Sequence, residues 1–137
     1  MRLSLFLSAG CFLLLACGCG HGVPREAVSG TVTLDGKPLE QGSILFSPLA
    51  AGPSAGGEIA QGRFELIQER GPGTSNYRVE INAWRKTGHS VYDAERQAHE
   101  EMLESIIPAQ YNSQSELEVT VEPGGENTFD FQLSSRR

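Results

Sequence analysis

Histidine and cysteine are the residues best suited to metal binding or nucleophilic chemistry, and this chain has three of each. All three cysteines precede residue 20, so we expect a folded body without disulfides, thiol catalysis or cysteine metal sites. His21 lies near the start of the chain, and no strand alternation brings His89 and His99 together. We therefore interpret the histidines as exposed structural residues and predict no metal site.

The large aromatic residues offer a second kind of chemistry, because an exposed indole can stack on a sugar ring. Trp84 ends the alternating run of residues 76–84, and strict alternation places it on the outward face at the end of a strand. We name Trp84, together with Tyr77, as the candidate ligand contacts. The alternative is that the next element along the chain covers Trp84.

The remaining polar residues form no catalytic motif. The sequence has no Gly-x-Ser-x-Gly elbow and no phosphate-binding loop, so we predict a non-enzymatic protein without a cofactor. The formal net charge is −6, and the basic residues form no stripe. Such a surface repels phosphate backbones, which excludes nucleic acid as the expected partner.

The start of the chain has the pattern of an export signal. Arg2 precedes an apolar run over residues 3–16 that is short for a membrane span. The segment Leu14-Leu15-Ala16-Cys17 resembles a bacterial lipobox, in which the cysteine becomes the acylated first residue. We predict removal of residues 1–16, a lipid such as palmitate on Cys17 (alternatively Cys19), and a flexible Gly-rich tether over residues 17–26. The expected location is the exported side of the cell membrane or outer membrane; the alternative is a soluble secreted protein.

The rest of the chain favours short strands and tight turns. Alternating inward and outward residues indicate seven strands separated by Gly- and Pro-rich turns. Within residues 28–48 the turn is Asp35-Gly36, and a second tight hairpin is centred on Gln61-Gly62. We predict an all-β fold over residues 27–134, a seven-stranded antiparallel β-sandwich of the transthyretin-like or immunoglobulin-like kind.

One segment breaks the strand period. Residues 90–107 place apolar residues at helical spacing, namely Val91, Ala94, Ala98, Met102 and Ile106. Ser90 would cap this helix and Pro108 would end it. The helix would carry an acidic face formed by Glu95, Glu100, Glu101 and Glu104. That face lacks calcium-loop spacing, so we interpret it as solvated. We expect the helix to lie across the sandwich; the alternative is a mobile lid or a partner-docking helix.

Most of residues 28–133 resemble a known family. The run from Gly30 to Ile44 resembles the opening of carboxypeptidase-regulatory-like domains, as do the hairpin at residues 61–64 and Pro72-Gly73. The segments at residues 107–111 (Ile-Pro-Ala-Gln-Tyr) and 127–131 (Asn-Thr-Phe-Asp-Phe) are similar to those of small lipoproteins abundant in planctomycete bacteria. The resemblance implies a transthyretin-like sandwich used as an accessory module, with no shared chemistry.

Two functional hypotheses follow. The first is a lipid-anchored cell-envelope β-sandwich with a non-catalytic structural or protein-interaction role. The alternative is a carbohydrate-binding module at the cell surface that acts through Trp84. The expected partners are the membrane, through the N-terminal lipid, and either an envelope protein or a glycan.

Overall fold

The computed structural model describes residues 23–136, which form a β-sandwich with a projecting β-hairpin. The predicted signal peptide, His21 and both candidate lipidation sites, Cys17 and Cys19, lie outside the described residues. The strands are β1 (Val28–Leu34), β2 (Lys37–Pro38), β3 (Gln41–Pro48), β4 (Ala55–Ala60), β5 (Arg63–Leu66), β6 (Ser75–Asn82), β7 (Trp84–Asp93), β8 (Ala98–Ser105), β9 (Glu118–Val121) and β10 (Asn127–Leu133). Short 3-10 turns occur at Gln68–Arg70 and Ala109–Tyr111. No helix in this part of the chain is long and apolar enough to cross a membrane.

The seven predicted strands are confirmed as one continuous hydrogen-bonded path. Their order is β10-β1-β5-β4-β3-β6-β9, and the short strand β2 pairs with β1. Neighbours along the path are antiparallel except β1 and β10, which are parallel over their full length. The predicted antiparallel β-sandwich is therefore confirmed, and it contains one parallel pair, β1 with β10.

The sheet curls so that its two halves face each other across an apolar core. Phe46 on β3 and Phe129 on β10 have ring centroids 6.3 Å apart. Four strand spacings separate β3 from β10 in the strand order, so a flat sheet would hold these strands about 19 Å apart. Six core residues drawn from both halves are fully buried among the described residues, namely Val32, Phe46, Ile59, Val79, Ile81 and Ala83.

Two tight turns set the strand connections. Asp35 and Gly36 have φ angles of 51° and 77°, and Gln61 and Gly62 have φ angles of 51° and 76°. Left-handed backbone at both central positions matches the right-handed twist of the flanking strands. Both turns were predicted from the sequence and are confirmed.

Gly30 permits the parallel pairing of β1 with β10. A Cβ atom at this position would lie 1.8 Å from the carbonyl oxygen of Phe129 and 2.9 Å from the Phe64 ring. Because a backbone oxygen cannot move aside without its strand, any side chain at Gly30 would force β10 away from β1.

The end of the predicted tether is part of the fold. Arg25 forms an isolated bridge with Gly73 and donates a hydrogen bond from its guanidinium to the Gly71 carbonyl, at 2.8 Å. The Glu26 N–H donates to the Pro72 carbonyl, also at 2.8 Å. The chain is therefore held to the sandwich from Arg25 onward, two residues before the predicted start of the domain at residue 27.

The predicted helix over residues 90–107 is wrong, since this segment is a β-hairpin. Strands β7 and β8 pair antiparallel around a turn at residues 94–97. In that turn the Asp93 carboxylate accepts hydrogen bonds from the N–H groups of Glu95 (2.8 Å) and Arg96 (3.2 Å). The helical spacing of apolar residues was counted across this turn, and Ser90 lies within β7 rather than at a cap. We call residues 84–105 the arm.

Candidate functional site

The arm projects from the sandwich with almost no buried surface. Every residue in it is exposed except Thr87 and Asp93, which are half-buried. Of the nine exposed large hydrophobic residues in the described part of the chain, five belong to the arm: Trp84, Val91, Tyr92, Met102 and Leu103. Apolar groups concentrated on one exposed element are typical of an interaction surface.

The pairing of β7 with β8 sorts these residues onto two faces, because directly opposed residues share a face. The Trp84 face consists of Trp84, Lys86, Ser90, Tyr92, His99, Glu101, Leu103 and Ser105. The Val91 face consists of Arg85, Val91, Asp93, Ala98, Glu100, Met102 and Glu104. The pairing register of β7 against β8 shifts between Lys86 and Ser90, where β7 has a bulge that contains Gly88.

Ion pairs link basic and acidic residues of the arm. The pairs are Arg85 with Glu104, Lys86 with Glu101, and Arg96 with Glu100. All these side chains are exposed, so each pair contributes at most about 1 kcal/mol. The predicted acidic face does not exist, because strand alternation puts Glu101 on the Trp84 face and Glu100 and Glu104 on the Val91 face, while Glu95 lies in the turn.

Buried neighbours hold the base of the arm in place. Ala83 is fully buried and Ile107 is nearly so, while the Ile106 N–H donates to the Ala83 carbonyl at 3.1 Å. Trp84 follows directly and is 53% exposed. The outward orientation predicted for Trp84 is confirmed, and no helix covers it in the part of the chain that the structure describes.

Two grooves flank the Trp84 ring. One, of about 510 Å³, lies between the Trp84 face and the outer face of β3 and β4. The other, of about 500 Å³, lies between the arm base and the β1–β2 turn. Trp84 and Gln41 line both grooves, so the grooves adjoin at these two residues, and we call the pair of grooves the trough.

The second predicted ligand contact, Tyr77, is a core residue. It is 1% exposed, and its hydroxyl accepts a hydrogen bond from the Gly73 N–H at 2.9 Å. Its ring lies edge-on to Phe46 with centroids 6.4 Å apart. Strand alternation turns Tyr77 inward, so it cannot meet a surface ligand, and this part of the prediction is wrong.

Both described histidines lie on the arm. The His99 ring is 5.3 Å from the ring of Tyr92 on the Trp84 face, and His89 lies in the bulge between Lys86 and Ser90. Within residues 23–136 no three His, Cys, Asp or Glu residues are grouped closely enough to hold a metal ion.

No family model and no curated protein matches the chain. Among solved structures, the chain is similar to a 9R-lipoxygenase from Cyanothece PCC8801, with 14% identity and a TM-score of 0.39 over 81% of this chain. The matched region spans 16% of the lipoxygenase chain. A similarity at this level supports no conclusion about fold or function.

Proposed function

We propose that this protein is a lipid-anchored, non-catalytic component of the cell envelope that binds an envelope protein through its arm. The observation that carries the proposal is the concentration of exposed apolar residues on an element that contributes almost nothing to the core. An element of this kind is best explained by a partner that covers it.

The position of the arm relative to the N-terminus supports this role. Arg25 bridges to Gly73, just before β6 begins, and Trp84 follows just after β6 ends. Strand β6 has eight residues, so these two points are separated by about 23 Å along the strand. A lipid attached upstream of Arg25 would therefore leave the arm at the end of the sandwich that points away from the bilayer.

The Val91 face has the layout of a small protein interface. Val91 and Met102 are 55% and 48% exposed and are diagonal neighbours across the two strands. The ion pairs of Glu100 and Glu104 lie at either side of them. An apolar centre with a charged rim is the usual anatomy of a protein contact, and methionine adapts its shape to a partner.

Site-specific photo-cross-linking in native membranes tests the proposal. A photoreactive residue at Val91 should give one discrete protein adduct, and the same residue at Glu65, exposed on β5, should give none. In a second experiment the photoreactive residue is placed at Ala98, which is exposed on the same face. The adduct formed from this position should disappear in the Val91→Lys/Met102→Lys variant at the same expression level. Equal adducts from both sites, or no adduct from the Val91 face, would contradict a partner-binding arm.

A further inference from the structure

The groove between the Trp84 face and β3–β4 combines one aromatic platform with a polar wall. One side is formed by Trp84, Lys86 and Leu103 of the arm. The other side is formed by β3 and β4, where Gln41, Ser43 and Glu58 are the polar side chains and Ile59 and Ala60 the apolar ones. Its volume of about 510 Å³ falls within the range of small-molecule sites, about 300–1,000 Å³.

The Trp84 indole is exposed to solvent, and the backbone that carries it is held in place. Trp84 is about half-exposed, while Ala83 immediately before it is fully buried and accepts a backbone hydrogen bond from Ile106. Because the backbone at this point is already fixed, only the side-chain torsions of Trp84 remain to be ordered when a ligand stacks on the ring. The free face of the ring is suited to the C–H face of a pyranose, which is flat and apolar.

The polar side chains of the groove can form hydrogen bonds with the hydroxyl groups of a sugar. The side chains of Gln41, Ser43 and Glu58 make no hydrogen bond to any other residue within 23–136. Together they offer donors and acceptors, which a sugar hydroxyl needs because it both donates and accepts. The one base that lines the groove, Lys86, is already paired with Glu101, and the one acid is Glu58, so the groove offers no free positive charge to an anionic ligand.

A peptide fits this groove less well than a sugar does. An apolar side chain stacked on Trp84 would remove water from the amide of Gln41 and the carboxylate of Glu58 without replacing their hydrogen bonds, which is costly. The second groove shares Trp84 and Gln41 with the first and is also lined by Lys37, Glu40 and Arg85. The trough is therefore longer than a single sugar ring.

From this geometry we propose that the trough at the arm base is a saccharide-binding site for an uncharged, linear oligosaccharide, with Trp84 as the stacking platform. Gln41, Ser43 and Glu58 bind its hydroxyl groups. The site is distinct from the Val91 face and requires neither the lipid anchor nor a protein partner.

The composition of the chain provides a direct assay. Trp84 is the only tryptophan among the 137 residues, so intrinsic indole fluorescence reports on this site alone. The full chain is purified in a detergent without sugar groups and titrated with hexasaccharides of glucose, mannose, xylose and N-acetylglucosamine in β-1,4 linkage. For the variants that lack the indole, binding is measured by calorimetry instead of fluorescence.

At least one of these oligosaccharides should give a saturable change in emission. Trp84→Ala should weaken its binding at least about tenfold, the equivalent of one stacking contact with its hydrogen-bonded neighbours. Trp84→Phe should retain part of the affinity, and Gln41→Ala and Glu58→Gln should each weaken it. Tyr92→Ala, on the same face but at the far end of the arm, is the matched control and should bind normally.

Three results would overturn the site. The first is no saturable response to any of the four hexasaccharides. The second is a response that Gln41→Ala and Glu58→Gln leave unchanged, and the third is a protein adduct from the native membrane that Trp84→Ala abolishes. The titration uses purified protein, whereas the cross-linking at Val91 uses membranes. A negative result in one experiment therefore leaves the proposal tested by the other intact.

Discussion

Removing the arm should leave the sandwich stable. The informative change replaces residues 86–103 with Asn-Gly, a pair that favours a two-residue hairpin turn, so that Arg85 and Glu104 remain paired. The residues removed bury almost no side chain. Their ion pairs are exposed and lie within the arm, and an isolated two-stranded hairpin is marginal by itself. We expect the free energy of unfolding to change by no more than about 1 kcal/mol.

Urea denaturation followed by far-ultraviolet circular dichroism measures this change. The m-value should also be nearly unchanged, because it follows the surface exposed on unfolding and the arm buries little. Phe46→Ala is the contrasting variant, since Phe46 is fully buried and its truncation should cost about 3–5 kcal/mol. A loss above about 2 kcal/mol on shortening the arm would refute the reasoning, because the arm would then support the fold rather than serve only to bind.

Three further predictions concern other parts of the chain. Gly30→Ala should destabilise the domain by about 3 kcal/mol or more, through lost β1–β10 hydrogen bonds. Gly57→Ala should be tolerated, because its Cβ would meet the Leu66 side chain at 3.4 Å and the Glu65 carbonyl oxygen at 3.9 Å, which are ordinary contacts; equal Tm values for the two variants would contradict the steric account. Hydrogen bonds from the Ser135 side chain and N–H hold the pKa of Asp35 below its ordinary 3.8. This contact should persist above pH 3.8 and be lost as the pH falls through the lowered pKa. The protection of the Ser135 amide, measured as its exchange rate relative to the intrinsic rate at the same pH, should therefore fall in acid, and Asp35→Asn should remove this acid-dependent fall in protection. Mass spectrometry of the membrane-extracted N-terminal peptide should find the lipid on Cys17; release of the protein by Cys19→Ser but not by Cys17→Ser would reverse the assignment.

The sandwich could be predicted from the sequence because each of its strands has one face in the core. Burial on one side imposes an alternation that is visible in the residues themselves, as in the run that ends at Ala83. The turns at residues 35–36 and 61–62 could be predicted for a related reason, since each pairs a glycine with a residue that tolerates positive φ. The parallel pairing of β1 with β10 could not, because it depends on contacts between the two ends of the chain.

The arm was missed because both of its faces are exposed to water. A strand without a buried face has no reason to alternate, so Val91, Ala98 and Met102 could be counted as a helical stripe although a turn separates the first from the other two. One signal was present in the sequence. Basic Arg85 and Lys86 precede the turn and acidic Glu101 and Glu104 follow it, which is the charge pattern of cross-strand pairs. The groove could not be predicted either, because it exists only where the base of the arm meets β3 and β4.

The way the arm protects its edges indicates how it binds. An exposed two-stranded ribbon has two open backbone edges, and such edges promote aggregation unless charges or bulges interrupt them. On β8 the edge carries Glu100, Glu101 and Glu104, and β7 is interrupted by the bulge at Gly88, whose φ is 79°. Both edges therefore oppose the addition of another strand, while Trp84 on one face and Val91 on the other remain uncovered. Recognition through side chains on the faces, rather than through backbone pairing at the edges, is the mode that this arrangement leaves open. The proposed saccharide site and the proposed protein site lie on opposite faces of the arm, so occupation of one would not block the other.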